Sequence, residues 1–144
     1  MRLTKFTDYS LRVLIYLAVH DDKHVSVGDI AAAYGISKNH LMKVILFLSA
    51  AEYVVTTRGK GGGIKLKVSP QQINIGNLVS KSEADTLLLE CFSPELSECR
   101  IESACLLQDA FRKASMAFYA VLHNYTLADL VTNKATLERI LNVA

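Results

Sequence analysis

Residues Ser26 to Val54, SVGDIAAAYGISKNHLMKVILFLSAAEYV, constrain the fold more than any other part of the chain. Ser26 is placed to cap one helix, Gly35 to end it and Ser37 to cap a second, so the stretch reads as two helices around a tight turn. In the second helix Leu41, Val44, Ile45 and Leu48 share an inward face, which leaves Lys38, Asn39, His40 and Lys43 outside. This is a helix-turn-helix pattern. The following YVVTTRGKGGGIKLKV has β-branched runs on both sides of a glycine-rich tip and alternates Ile64, Leu66 and Val68 with Lys65 and Lys67, as a β-hairpin does. Helix pair and hairpin together predict a winged helix-turn-helix, in which the second helix enters the major groove and the wing meets the DNA backbone or minor groove.

Charge supports that reading. From Lys38 to Lys67 six bases face one acid, Glu52, within a chain whose net charge is only +2. A basic block in a near-neutral protein is an electrostatic footprint for phosphate. The residues expected on double-stranded DNA are Ser37, Lys38, Asn39, His40 and Lys43 at the start of the second helix, and Arg58, Lys60, Gly61, Gly62 and Lys65 in the wing. Asn can read adenine, and Lys guanine or phosphate. The run Gly59 to Gly63 lacks the GxxxxGK[ST] spacing of a P-loop, so a flexible wing tip is the better reading.

The rest of the chain frames this unit. A first helix is expected over Asp8 to His20, with Thr7 as its N-cap and Leu11, Leu14, Ile15 and Ala18 at helical spacing. Pro70 closes the wing, and another helix starts near Ile75. Leu107, Phe111, Ala114, Phe118 and Val121 step by four and three, a short heptad seam suited to a second copy of the same helix or to the chain's own body. TLAD at Thr126 to Asp129 has the form of a capping box opening a final short helix. The expected class is mainly α, a winged helix-turn-helix with a long dimerisation helix, divided as 1–70 for DNA binding, 71–106 for a connecting helix and cysteine loop, and 107–144 for the dimerisation and C-terminal helices. With 144 residues, one core suffices.

All three cysteines lie in ECFSPELSECRIESAC, residues Glu90 to Cys105. At about 100° per residue, Cys99 and Cys105 would stand about 240° apart on one helix, and Pro94 interrupts any helix there. A loop that turns its thiols toward a common point fits better, and such loops hold a metal or a cluster. Structural zinc usually shows CxxC pairs, which this stretch lacks. An odd cysteine count argues against a disulfide framework. From Glu83 to Asp109 seven acids stand against Arg100, so the loop is unsuited to DNA phosphates. His20, His24 and His123 have no ligand spacing and are expected on the surface, and no catalytic triad order stands out, so an enzyme is not expected. No membrane segment is expected, since the longest apolar run, Val13 to Val19, is far too short to span a bilayer and the start MRLTKFTDYS is no signal peptide. The expectation is a soluble cytoplasmic protein.

LTKFTDYSLRVLIYLA, ISKNHLMKVI, RGKGGGIKL, the three cysteines and NYTLADL, in this order, resemble the iron-sulfur winged-helix transcription regulators of the IscR and NsrR kind. The resemblance covers nearly the whole chain. It implies a homodimeric repressor whose cluster is ligated by Cys91, Cys99 and Cys105. IscR-like members add a histidine three residues after the third cysteine, where this chain has Gln108. The nitric-oxide-sensing NsrR kind is the nearer match. It implies a 4Fe-4S rather than a 2Fe-2S cluster, with Asp8 from the other subunit as fourth ligand, nitric oxide as signal and nitrosative-stress or nitric-oxide detoxification genes as targets. The interval between Cys91 and Cys99 is longer than usual in the family. Competing readings are a winged-helix repressor that senses iron, redox state or zinc through the same cysteines, and an iron-sulfur electron carrier, for which the basic wing would have no use.

Overall fold

A computed structural model describes residues 2–93, 95 and 98–141. α1 (Lys5–Val19) starts before Asp8, because Thr4 and not Thr7 is its N-cap: the Thr4 hydroxyl accepts from the Thr7 backbone N–H at 3.2 Å. Thr7 is wholly buried inside the helix and donates its own hydroxyl to Glu83, a partner 76 residues away that no local pattern could reveal. His20, expected on the surface, is buried as well. Its ring stacks on Tyr16 at 4.3 Å and Nδ1 lies 2.9 Å from the Tyr16 carbonyl, so the helix end that it closes is packed inward.

α2 (Val27–Tyr34) opens on a capping box of Ser26 and Asp29 and ends at Gly35 in the left-handed conformation, φ 62°. α3 (Lys38–Ala50) is capped by Ser37, and its Leu41, Val44, Ile45 and Leu48 are all buried. β1 (Val54–Thr57) and β2 (Gly63–Leu66) form the antiparallel wing, with Val54 opposite Leu66 and Thr57 opposite Gly63. The wing is pinned at its base: Val25 and Ile64 exchange backbone hydrogen bonds of 3.0 and 2.8 Å, joining β2 to the loop between α1 and α2.

A 3₁₀ turn at Pro70–Gln72 leads to α4 (Ile75–Ser82), capped by Asn74. Short 3₁₀ turns at Glu90–Phe92 and Glu102–Ala104 then precede α5 (Leu106–Leu122). Pro94, expected to break any helix in this stretch, lies outside the described residues. The TLAD capping box is present and opens α6 (Leu127–Leu130), but this is not the last helix. α7 (Lys134–Leu141) follows and returns to α1, where Leu141 is buried and Lys134 pairs with Asp21 at 2.7 Å.

One hydrophobic cluster joins α1, α2, α3, both strands, α4, α6 and α7, with Leu14, Ile30, Leu41, Leu48, Ile73, Leu78 and Leu127 wholly shielded from water. Each such side chain contributes about 1.5–3 kcal/mol. α5 contributes no fully buried residue, and meets the body through Phe118, Tyr119 and Leu122 near its C-terminal end. That end is locked to the start of α4. Asn74 Nδ2 donates to the His123 carbonyl at 2.7 Å, Ile75 N–H donates to the Tyr125 carbonyl at 2.9 Å, and Gly76 is so close that a Cβ there would lie 2.4 Å from His123 Nδ1.

Candidate nucleic-acid interface and cysteine segment

The buried stripe of α3 fixes what its outer face presents. Setting residues about 100° apart, Asn39, Lys43 and Leu46 lie opposite the stripe, with Lys38 toward α2 and His40 toward α1. Contacts agree with these angles. A Cβ added at Gly28 of α2 would lie 3.6 Å from Lys38 Nζ, and the His40 ring stands 6.2 Å from the Tyr9 ring of α1. Ser37, Lys38, Asn39, His40 and Lys43 are all exposed. Sequence reasoning missed Met42 and Leu46, whose side chains are 47% and 66% exposed. Large apolar residues left in water on a helix of this kind can meet thymine methyl groups, and the signal for them was their position outside the inward stripe.

In the wing, Arg58, Lys60, Gly61 and Lys65 are exposed and Gly62 is half-buried. Gly61 adopts φ 80°, and a Cβ at Gly62 would fall 2.2 Å from the Thr57 carbonyl oxygen. The tip therefore turns back on β1 as only glycine allows. Lys67 pairs with Glu52, which neutralises it locally and leaves Arg58, Lys60 and Lys65 as the outward charges.

The cysteine segment is built differently. Cys91 sits in the first 3₁₀ turn and is half-buried, Cys99 is exposed, and Cys105 is half-buried at the residue before α5. The sequence placed three thiols at a common point; among the described residues no group of three Cys, His, Asp or Glu side chains stands close enough to hold a metal ion. Backbone hydrogen bonds in the segment span three residues, as in Glu102 N–H to the Cys99 carbonyl at 3.2 Å. Such turns set local direction without fixing one thiol against another. A longer tie is also present. Gln108 Nε2 donates to the Cys91 carbonyl at 2.8 Å, which fastens the first cysteine to the opening turn of α5, beside the third.

Asp8 lies in the first turn of α1, half-exposed, and is gripped by Arg12 one turn later through Nη2 at 2.9 Å and Nε at 3.1 Å. Arg12 in turn stands 5.8 Å over the ring of Tyr34, whose hydroxyl is pushed up to about 12 by burial, against the lowering pull of Arg12. Within one chain, then, Asp8 is engaged by an arginine.

The profile of the Rrf2 family, described as iron-dependent transcriptional regulators, matches residues 3–133. The chain belongs to the Rrf2 family. It is 48% identical over 144 residues to the HTH-type transcriptional regulator NsrR of Bacillus subtilis (strain 168), covering 99% of each chain. It is 46% identical over 143 residues to the regulator of the same name from Bacillus licheniformis, covering 99% of this chain and 100% of that one. Among solved structures it is similar to T. potens IscR, at TM-score 0.73 and 23% identity over 92% of this chain and 88% of that one. It is likewise similar to the oxidised form of Staphylococcus aureus CymR, at TM-score 0.72 and 24% identity over 92% and 97%. These two carry the fold. Family and fold together make the chain a winged-helix DNA-binding regulator and not an enzyme.

In this Rrf2 chain the heptad seam of α5 divides. Leu107, Phe111, Ala114 and Val121 are exposed, with Leu107 60% and Val121 57% accessible, while Phe118 is half-buried against its own core. Glu83, which sequence reasoning also missed, is 6% exposed at the C-terminus of α4. Burial pushes its carboxyl up, but donors from the Thr7 hydroxyl, the Thr4 backbone N–H and the Thr4 hydroxyl outweigh that and hold it below the ordinary carboxylate range. A carboxylate buried among donors from Thr4, Thr7 and Thr86 is a clasp between α1 and α4. No helix among the described residues is long and apolar enough to cross a membrane.

Proposed function

We propose that the chain is a homodimeric repressor that senses nitric oxide through an iron-sulfur cluster and so controls genes for nitrosative stress or nitric-oxide detoxification. The observation that carries this is the near-full-length identity of 42–48% to regulators named NsrR, together with all three thiols lying between Glu90 and Cys105, directly before α5. Cys91, Cys99 and Cys105 would be ligands, with the partner subunit's Asp8 as the fourth, and the likeness to the NsrR kind implies 4Fe-4S rather than 2Fe-2S.

The chemistry of the donors suits the group. Three thiolates are soft ligands for iron, and Cys105 is the residue directly before α5. A cluster with three soft donors and one hard oxygen supplies iron with one weakly held corner, open to a small diatomic ligand. The chain itself supplies the frame. Gln108 keeps the Cys91 backbone against α5, and the exposed seam of Leu107, Phe111, Ala114 and Val121 offers α5 to a second copy. Asp8 must exchange its Arg12 partner for a place beside the other subunit's thiols, which makes it the displaceable member of the set. Because α5 is locked to α4 and α4 follows the wing, a shift of α5 in the dimer changes the spacing of the two α3 helices. Half-sites about 34–36 Å apart, or a multiple, demand that this spacing be held.

Anaerobic purification with iron, acid-labile sulfide and zinc analysis, followed by titration with nitric oxide in a DNA-binding assay, tests the proposal. The expected result is about four iron and four sulfide per chain, an absorbance band bleached by nitric oxide, and DNA affinity lost in parallel. Zinc or free thiols after anaerobic reconstitution with iron and sulfide would overturn it.

A further inference from the structure

A small crevice of about 110 Å³ opens between α1 and α3, lined by Lys5, Phe6, Tyr9, His40, Lys43 and Val44. Its floor is apolar, with the Phe6 ring set edge-on to Phe47 at 5.1 Å. Its rim is not. Lys5 from α1 and His40 and Lys43 from α3 border it, all exposed, and Tyr9 lies against His40 at 6.2 Å between ring centres. No carboxylate lines the crevice, and the nearest acid in sequence, Asp8, is held by Arg12.

We propose that this crevice seats one backbone phosphate of double-stranded DNA, so that α1 is part of the nucleic-acid interface. The inference rests on the DNA-binding reading and changes two residue roles within it. His40 sits at the α1 edge of the α3 face, turned toward Tyr9, so it borders the phosphate while Asn39, in the middle of that face, remains the residue aimed at base edges. Lys5, on a helix that the helix-turn-helix pattern does not include, becomes a DNA contact. A phosphate fits the chemistry because cationic groups from two helices meet at one concavity, and phosphate contacts fix register on the duplex without reading sequence. The crevice lies at the edge where α3 packs against α1 and away from Asn39 in the middle of the α3 face, which suits a phosphate better than a base edge.

The test is a salt titration of binding to two mixed-sequence DNA duplexes by the full-length protein and its variants K5Q, K43Q, K5Q/K43Q and the wing variant R58Q/K60Q. Lys5 and Lys43 are exposed, so folding should be retained, and a thermal melt of each variant checks this. Loss of the phosphate contact is expected to weaken K5Q severalfold and equally on both duplexes, and to reduce the slope of log K against log salt in the double variant by roughly 0.9, as one lost phosphate requires. The two single substitutions should be non-additive, because both lysines serve one phosphate. If K5Q binds as the parent does while R58Q/K60Q loses affinity and slope, the crevice is overturned and the DNA-binding reading stands. If no variant changes affinity or slope, both fall.

Discussion

The helix-turn-helix and wing differ from the cysteine segment in how their positions are held. In the first, every helix start has a side-chain cap, the inward stripe of α3 is buried, and β2 is hydrogen-bonded to the loop before α2. In the second, Cys91, Cys99 and Cys105 lie on or between short 3₁₀ turns, no described residue from Glu90 to Cys105 is buried, and Gln108 ties the Cys91 carbonyl to α5. The lesson is that the helix-turn-helix and wing are positioned by the core, whereas the cysteine segment is positioned by short local turns and the Gln108 tie.

The sharpest contrast is a core substitution set against a seam substitution. Leu41→Ala removes a wholly buried side chain and should cost about 2–5 kcal/mol in chemical denaturation. Leu107→Ala, at 60% exposure, should leave that midpoint of the isolated chain unchanged and instead lower self-association measured by sedimentation. If Leu107→Ala destabilised the monomer as strongly, the seam would belong to the chain's own core and the contrast would break.

A middle effect is expected at Glu83. Its folded-state carboxyl lies below the ordinary range, so the stability it contributes is present above the unfolded carboxylate value and is lost as pH falls through the folded one. Glu83→Gln should therefore cost about 1–2 kcal/mol at neutral pH, with the gap to the parent closing in acid. A gap independent of pH would mean that the charge is not what Thr4 and Thr7 bind.

The smallest effect should come from Cys99→Ser. Its side chain is exposed, so stability of the metal-free chain should change by less than about 0.5 kcal/mol, while iron retained after anaerobic reconstitution should fall sharply. Destabilisation of the metal-free chain would show that the segment is already built without its ligand.

Local signals account for what was legible. Ser26, Gly35 and Ser37 punctuate helices through contacts within three or four residues, and the alternation of Ile64 and Lys65 follows from the pleat of a strand pair. Thr7 misled for the opposite reason. Its hydroxyl looks like a cap in sequence, but Glu83 claims it from the far side of the fold. His20 misled in another way: its stacking on Tyr16 is a contact one turn back, but the burial of that pair is set by the rest of the fold. α7 went unread because it is only eight residues long, too short for a clear helical period, and its docking on α1 supplies the packing partner.

By itself the sequence determined the winged helix-turn-helix, the outward basic face of α3 and the confinement of every thiol to one acidic segment, because periodicity, capping and charge act over a few residues. Only the tertiary structure decided that Glu83 takes the Thr7 hydroxyl, that His40 faces α1 and that α5 leaves most of its seam uncovered. Those outcomes depend on which surfaces meet across many residues of separation. Contacts of that kind are set by the whole core and leave no local trace in the chain.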